Sequence, residues 1–161
     1  MNMLINQLLL VVATLTVGVV YGTDVFHALV VKRAAALSSD QAIADLIGNT
    51  HLIADKRMPI IGVTGVISSL LLTALNYNTL LSVYSGIALT ALILHLILYF
   101  KVAKPINAQM SAAAVAKETL SEIRSLQLQW DSVIVYRALL LTLAMIALLT
   151  GTFATGGACC V

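Results

Sequence analysis

The stretch VATLTVGVVYGTDVFHALVV, residues 12–31, decides the fold of this 161-residue chain. It ends an apolar run that begins at Leu4 and carries no charge before Asp24. A run of this length crosses the hydrocarbon layer as an α-helix, which takes about 20 residues. Asp24 and His27 stand three residues apart and therefore share one face of that helix. Because an ionisable side chain at membrane depth is costly, we expect both to face the interior of a helix bundle and to have partners there.

The composition extends this interpretation to the whole chain. It is 60% hydrophobic and 10% charged, whereas a soluble domain usually carries about 25% charged residues. We therefore expect an integral membrane protein with one domain over residues 1–161 and the lipid bilayer as its environment. The net charge of +2 is too small to indicate a nucleic-acid partner.

The charges predict the orientation in the membrane. All nine Lys and Arg lie in two windows, residues 32–57 and 101–137. Under the positive-inside rule both windows are cytoplasmic, so the protein is multi-pass with both termini non-cytoplasmic. The N-terminus lacks the basic region of a signal peptide and is predicted to be a retained first span. Cys159 and Cys160 are expected in a frayed tail, with a lipid or metal role as the alternative.

The hydrophobic pattern predicts an all-α fold, an up-down-up-down transmembrane four-helix bundle. Its spans are residues 4–31, 60–75, 80–100 and 132–153. Two amphipathic cytoplasmic helical segments, residues 41–57 and 112–129, join them in pairs. In the first segment the apolar face is expected to comprise Ile43, Leu46, Ile47, Ile53 and Ala54.

Local signals set the predicted ends of these helices. Ser38 and Ser39 are expected to break the first helix and cap the next, with Asp40 in its first turn. Pro59 allows either a fresh first turn or a kink in one long helix, and Pro105 is expected to end or bend the third span. A tight turn is predicted over residues 76–79, and Trp130 is expected at the membrane interface.

Candidate chemistry is concentrated in the pairs Asp24-x-x-His27 and His51-x-x-x-Asp55 and in His95. Spacings of three and four place each pair on one helix face, as bundle proteins present metal ligands. One hypothesis is a redox metal, Fe or Cu, bound by His27, His51, His95, Asp24 and Asp55. Another is a haem ligated by His27 and His95 from opposing helices.

Structural alternatives stand beside these hypotheses. His51 and Asp55 could be water-exposed residues of an interfacial helix. His27 could hydrogen-bond Asp24, and His95 could hydrogen-bond Tyr99, as structural pairs only. Arg137 could form an ion pair with Asp24 or Asp131, or extend its head group outward to the interface.

Five residues carry a resemblance to a known family: Pro105, Ile106, Asn107, Trp130 and Arg137. A Pro-Ile-Asn stretch after the third span, with Trp and then Arg seven positions later, resembles the anthrone-oxygenase-like family of small four-span membrane proteins. The resemblance implies an oxygen-using activity on a flat hydrophobic substrate. This chain departs from it at Lys32-Arg33, where relatives often carry proline, and at Ile134, where they often carry a polar residue. The histidines are not part of this pattern.

The leading functional hypothesis is a membrane oxidoreductase or oxygenase acting on a lipophilic small molecule. Asn107 and Arg137 would orient the substrate beside the histidine site. In a metal-free version, a histidine would deprotonate an acidic carbon and oxygen would add to the carbanion. The second hypothesis is a non-catalytic subunit of a larger membrane complex or a homo-oligomer. It would dock through the small residues of the second span, namely Gly62, Gly65, Ser69 and Thr73.

Overall fold

The computed structural model describes residues 3–156, whose regular structure is helical throughout. The long helices are α1 Met3–Leu37, α2 Asp40–Leu75, α3 Leu80–Ala116 and α4 Ile123–Gly156. Each is long and apolar enough to cross a membrane. The predicted all-α four-helix bundle of a multi-pass membrane protein is therefore confirmed, and the orientation of the termini stays a prediction. Cys159 and Cys160 lie outside the described residues.

The helices are longer than the predicted spans, because the charged segments continue the spans. α2 runs through Pro59, so the observed alternative is one long helix. α3 likewise continues past Pro105 to Ala116, and a π-helical turn over Tyr99–Ala103 ends two residues before the proline. Local π-helical adjustment is one way in which a helix accommodates a residue that lacks a backbone N–H.

Two predicted breaks are confirmed. Ser38 and Ser39 are extended, and the Ser39 hydroxyl accepts a 3.2 Å hydrogen bond from the N–H of Ala42, which caps α2. α2 and α3 are joined by a tight turn in which Asn78 has a φ of 64°. Asparagine enters this left-handed region more readily than most residues, because its short polar side chain bonds locally.

The helix predicted over residues 112–129 is wrong, because the chain turns in the middle of that range. α3 ends at Ala116, and Lys117 adopts a left-handed conformation with a φ of 57°. The N–H of Lys117 donates to the carbonyl of Ala114 at 3.2 Å, which satisfies one of the last carbonyls of the helix. α4 then begins at Ile123.

By its internal contacts the chain divides into two compact units. Unit 1 comprises the described parts of Met1–Gly22, Ile60–His95 and Leu139–Val161. Unit 2 comprises Thr23–Pro59 and Leu96–Ala138. All nine Lys and Arg and all seven Asp and Glu belong to unit 2. Each of the four long helices contributes residues to both units, so the single domain over residues 1–161 stays a prediction.

One row of buried residues in α4 follows a spacing that alternates between four and three. It comprises Ile123, Gln127, Trp130, Ile134, Arg137, Leu141, Ala144 and Leu148. This period is typical of helices that pack side by side in a bundle. The buried positions in unit 2 include polar residues, whereas those in unit 1 from Leu141 onward are apolar.

In unit 1 the small residues of α2 serve to pack it against α1. A Cβ atom at Gly65 would lie 2.9 Å from Cγ2 of Val17 and 3.1 Å from Oγ1 of Thr16. Ser69 is completely buried, whereas a Cβ at Gly62 would meet nothing within 4 Å. The predicted packing face therefore exists, and at Gly65 and Ser69 it is already covered within the unit.

Candidate functional site

Trp130, the single tryptophan of the chain, stands in a buried polar cluster of unit 2. Its indole Nε1 donates a 2.8 Å hydrogen bond to Oδ1 of Asn107. Trp130 is only 5% exposed, and its N–H finds its partner inside the protein, while its predicted depth at the membrane interface stays a prediction. The Trp130 cluster, as defined here, comprises Asp24, His27, His51, Asp55, Tyr99, Asn107, Trp130 and Arg137.

Asn107 connects Trp130 to Asp55. While its Oδ1 accepts from the indole, its Nδ2 donates to Oδ1 of Asp55 at 2.9 Å. The hydroxyl of Tyr99 donates to the same carboxylate oxygen at 3.0 Å. An amide side chain has one accepting and one donating end, so these two partners fix its orientation.

The imidazoles of His27 and His51 both pack against the indole of Trp130. Their ring centroids lie 4.2 Å and 5.4 Å from that of the indole. His51 is 4% exposed, so the alternative of a water-exposed His51 is wrong. The Nε2 atoms of both histidines are buried without a hydrogen-bond partner. A buried polar atom left unpaired costs about 1–3 kcal/mol, so such atoms mark places where a further partner belongs.

Arg137 and Asp24 form a buried ion pair beside these rings. Nη2 of Arg137 lies 3.0 Å from Oδ1 of Asp24, and both side chains are less than a tenth exposed. The guanidinium carbon lies 5.4 Å from the centroid of the Trp130 ring and 5.9 Å from that of Tyr99. Of the alternatives for Arg137, the inward ion pair with Asp24 is the observed one. A fixed positive charge is thereby held against two aromatic faces.

Asp131 and Gln127 adjoin the cluster and were missed as site residues by the sequence reasoning. Nε2 of Gln127 donates to Oδ1 of Asp131 at 3.0 Å, and both residues are buried. Nε2 of His27 lies 3.9 Å from the same oxygen. Lys32 donates to the backbone carbonyl of Asp131 at 3.2 Å. The spacing of Gln127 from Ile123 and Trp130, on the buried face of α4, is the signal that could have identified it.

The local backbone around the cluster departs from a regular α-helix. π-helical turns occupy His27–Val31, Ile43–Ile47 and Tyr99–Ala103, and all three belong to unit 2. Such turns are frequent at functional sites. Three residues before His51, a Cβ at Gly48 would lie 2.8 Å from the carbonyl oxygen of Met110. Only glycine allows this close approach of α2 and α3, which positions His51 beside Trp130.

The predicted metal and haem ligands are divided between the two units. Asp24, His27, His51 and Asp55 belong to unit 2, whereas His95 is a buried residue of unit 1. Among residues 3–156, no group of three or more His, Cys, Asp or Glu side chains is placed to hold a metal ion. The metal site predicted from His27, His51, His95, Asp24 and Asp55 therefore stays a prediction. Haem ligation by His27 and His95 stays a prediction.

Comparisons with protein-family models, with curated proteins and with solved structures find no match to this chain. The resemblance to the anthrone-oxygenase-like family therefore stays a hypothesis. Of its five residues, Asn107, Trp130 and Arg137 meet in the Trp130 cluster, and Ile106 is buried in the apolar core of unit 2. Pro105 is exposed.

Proposed function

We propose that this protein is an integral membrane oxidoreductase that acts on a lipophilic substrate at the Trp130 cluster. One observation carries the proposal. Two buried imidazoles, those of His27 and His51, pack on a single indole, and each has an Nε2 atom without a hydrogen-bond partner. A residue that serves only structure would be expected to have this atom paired.

The proposed chemistry is general-base catalysis. An uncharged imidazole accepts a proton through its free ring nitrogen, and a positioned base contributes about 10²–10⁴-fold to a rate. We assign this role to His27, which has the closer contact with Trp130. Arg137 supplies a fixed positive charge toward which negative charge can develop on the substrate. Asn107 and Tyr99 hold Asp55, and the Asn107 amide holds the indole in place.

In the proposed reaction an activated methylene group and dioxygen become a carbonyl group and water. One C–H proton goes to Nε2 of His27, and the electron pair left on carbon passes to dioxygen to form a carbon–oxygen bond. The resulting peroxide takes up that proton. Loss of the second C–H proton then breaks the O–O bond and releases water. Dioxygen is the only oxidant that this sequence needs.

Three further considerations support this function over the alternatives. Three of the five residues that carry the family resemblance, Asn107, Trp130 and Arg137, belong to one cluster with the imidazoles of His27 and His51. The accessory-subunit hypothesis relied on the small residues of α2, and Gly65 and Ser69 are covered within unit 1. The metal-bound version lacks a group of three ligands among residues 3–156, so we prefer base chemistry.

The test is oxygen uptake by the purified protein in detergent, with anthrone as the probe substrate. We expect uptake above the rate without protein, and a loss of about 10²-fold or more in the His27→Gln variant, since a general base contributes that much. Tyr136→Phe is the matched control, because Tyr136 is 64% exposed beside Arg137. Elemental analysis and a visible spectrum of the same sample report any metal or haem.

Uptake by the wild type that His27→Gln leaves unchanged would contradict the assigned base. One equivalent of Fe or Cu, or a haem spectrum, that disappears in His27→Gln would instead support the metal-bound version. Inactive, colourless protein that co-purifies with larger subunits would support the accessory-subunit hypothesis.

A further inference from the structure

We infer that Gln127, Asp131 and His27 form a subsite for the hydroxyl group of a lipophilic alcohol or phenol. The inference deepens the proposed function and rests on its site. It is tested by binding alone, so its failure can be told apart from a failure of the oxidoreductase proposal.

Gln127 supplies the first half of the subsite. The residue is 3% exposed, and its Nε2 donates to Oδ1 of Asp131 at 3.0 Å. Because a carboxylate accepts and does not donate, the amide nitrogen faces Asp131. Oε1 of Gln127 is consequently left buried without a hydrogen-bond partner.

His27 supplies the second half. Its Nε2 lies 3.9 Å from the same Oδ1 of Asp131, which is beyond hydrogen-bond range, and this nitrogen is also buried without a hydrogen-bond partner. The amide of Gln127 and the imidazole of His27 therefore approach one carboxylate oxygen. Each of the two side chains has one polar atom that remains unpaired.

The unpaired atoms define the chemistry of the ligand. Oε1 of Gln127 can only accept, so the ligand must donate a hydrogen; an ether or an isolated carbonyl group cannot do so. A hydroxyl group has one hydrogen, which it donates to Oε1 of Gln127, so Nε2 of His27 beside it stays available as the proton acceptor of the proposed function. A cationic ligand is disfavoured, because Lys32 already donates to the backbone of Asp131 at 3.2 Å and Arg137 lies near Trp130.

Trp130 provides the reporter, because it is the single tryptophan and contacts His27. We propose to titrate the full chain in detergent with three bromine-labelled probes on one alkylbenzene skeleton: a phenol, its methyl ether and the parent without oxygen. Bromine quenches indole emission on contact. We expect the phenol to reach half-quenching at a concentration about tenfold below that of either other probe, as one hydrogen bond allows.

Gln127→Met should abolish this preference for the phenol, whereas Gln129→Met should retain it, since Gln129 is exposed on the same helix. The wild-type titration is decisive even if Gln127→Met fails to fold. Half-quenching at equal concentrations by the three probes, or no quenching by the phenol, would overturn the subsite and leave bound water as the partner of these atoms. Retention of the preference in folded Gln127→Met would also overturn it. Preserved phenol binding without oxygen uptake would overturn the oxidoreductase proposal alone.

Discussion

The side-chain oxygen Oδ1 of Asn107 accepts a 2.8 Å hydrogen bond from the indole N–H of Trp130, although the two residues stand 23 positions apart in the sequence. The bond joins α3 to α4 within unit 2. Because the same amide donates to Asp55 on α2, one side chain links three helices. Two of the five residues on which the resemblance to the anthrone-oxygenase-like family rests are therefore in direct contact. Asn107 also fixes the indole ring of Trp130, against which His27 and His51 pack.

Asn107→Leu should destabilise the protein. The substitution leaves the indole N–H and one bond of Asp55 without a partner, at about 1–3 kcal/mol for each buried group. For a chain of this size each kcal/mol lowers the midpoint of thermal unfolding by about 2–4 °C. Gln109→Leu is the control, because Gln109 is exposed and its amide bonds only the Pro105 carbonyl of its own helix. Equal midpoints for the two variants, measured by Trp130 fluorescence, would contradict the assigned bond.

Arg137→Met should be among the most destabilising substitutions. It leaves the buried Asp24 carboxylate without the guanidinium that lies 3.0 Å away, and breaking a buried pair in this way costs about 3–5 kcal/mol. Arg124→Met is the matched control, because the ion pair of Arg124 with Asp40 is exposed and such pairs contribute about 0–1 kcal/mol. Denaturant titration in detergent gives both values. A smaller loss for Arg137→Met than for Arg124→Met would refute the structural role of the buried pair.

The sequence predicted the helical class and several ends because those signals are local. Ser39 caps α2 as expected, since its hydroxyl needs only the N–H three residues later. Lys117 was missed as a helix end because a left-handed residue after a helix is usually glycine. A lysine in an alanine-rich stretch gives no such signal.

The buried face of the first charged segment could not be predicted from its apolar residues. Leu46 and Ile53, which belong to the predicted apolar face, are 73% and 52% exposed, whereas His51 is buried. Lipid is as apolar as a leucine side chain, so in a membrane protein an apolar residue does not identify the inner face. The partners of His51 come from residues distant in sequence, such as Trp130, and their contact depends on the tertiary fold.

Gly65→Ala should destabilise unit 1, whereas Gly62→Ala should not. A Cβ at Gly65 would lie 2.9 Å from Cγ2 of Val17, and overpacking of this kind costs about 1–3 kcal/mol. At Gly62 the same methyl group meets nothing within 4 Å, so the higher helix propensity of alanine should stabilise by up to about 1 kcal/mol. The two unfolding midpoints should therefore move in opposite directions. A lower midpoint for Gly62→Ala than for Gly65→Ala would contradict the close packing of α2 on α1.

Tyr99→Phe tests whether Asp55 positions the cluster through its hydrogen bonds. The substitution removes the 3.0 Å bond from the hydroxyl to Asp55 and keeps the ring beside Arg137. We expect a loss of about 0.5–1.5 kcal/mol of stability, as for one net hydrogen bond. If the hydrogen bonds from Asp55 through Asn107 orient Trp130, the emission spectrum of that single tryptophan should also shift, although Tyr99 and Trp130 share no hydrogen bond.

Tyr136→Phe is the control, because it removes a hydroxyl from an exposed residue of α4 and should change neither the stability nor the spectrum. A stability loss in Tyr99→Phe with an unchanged spectrum would limit Asp55 to a structural role, whereas a shift in both would support its positioning of the indole.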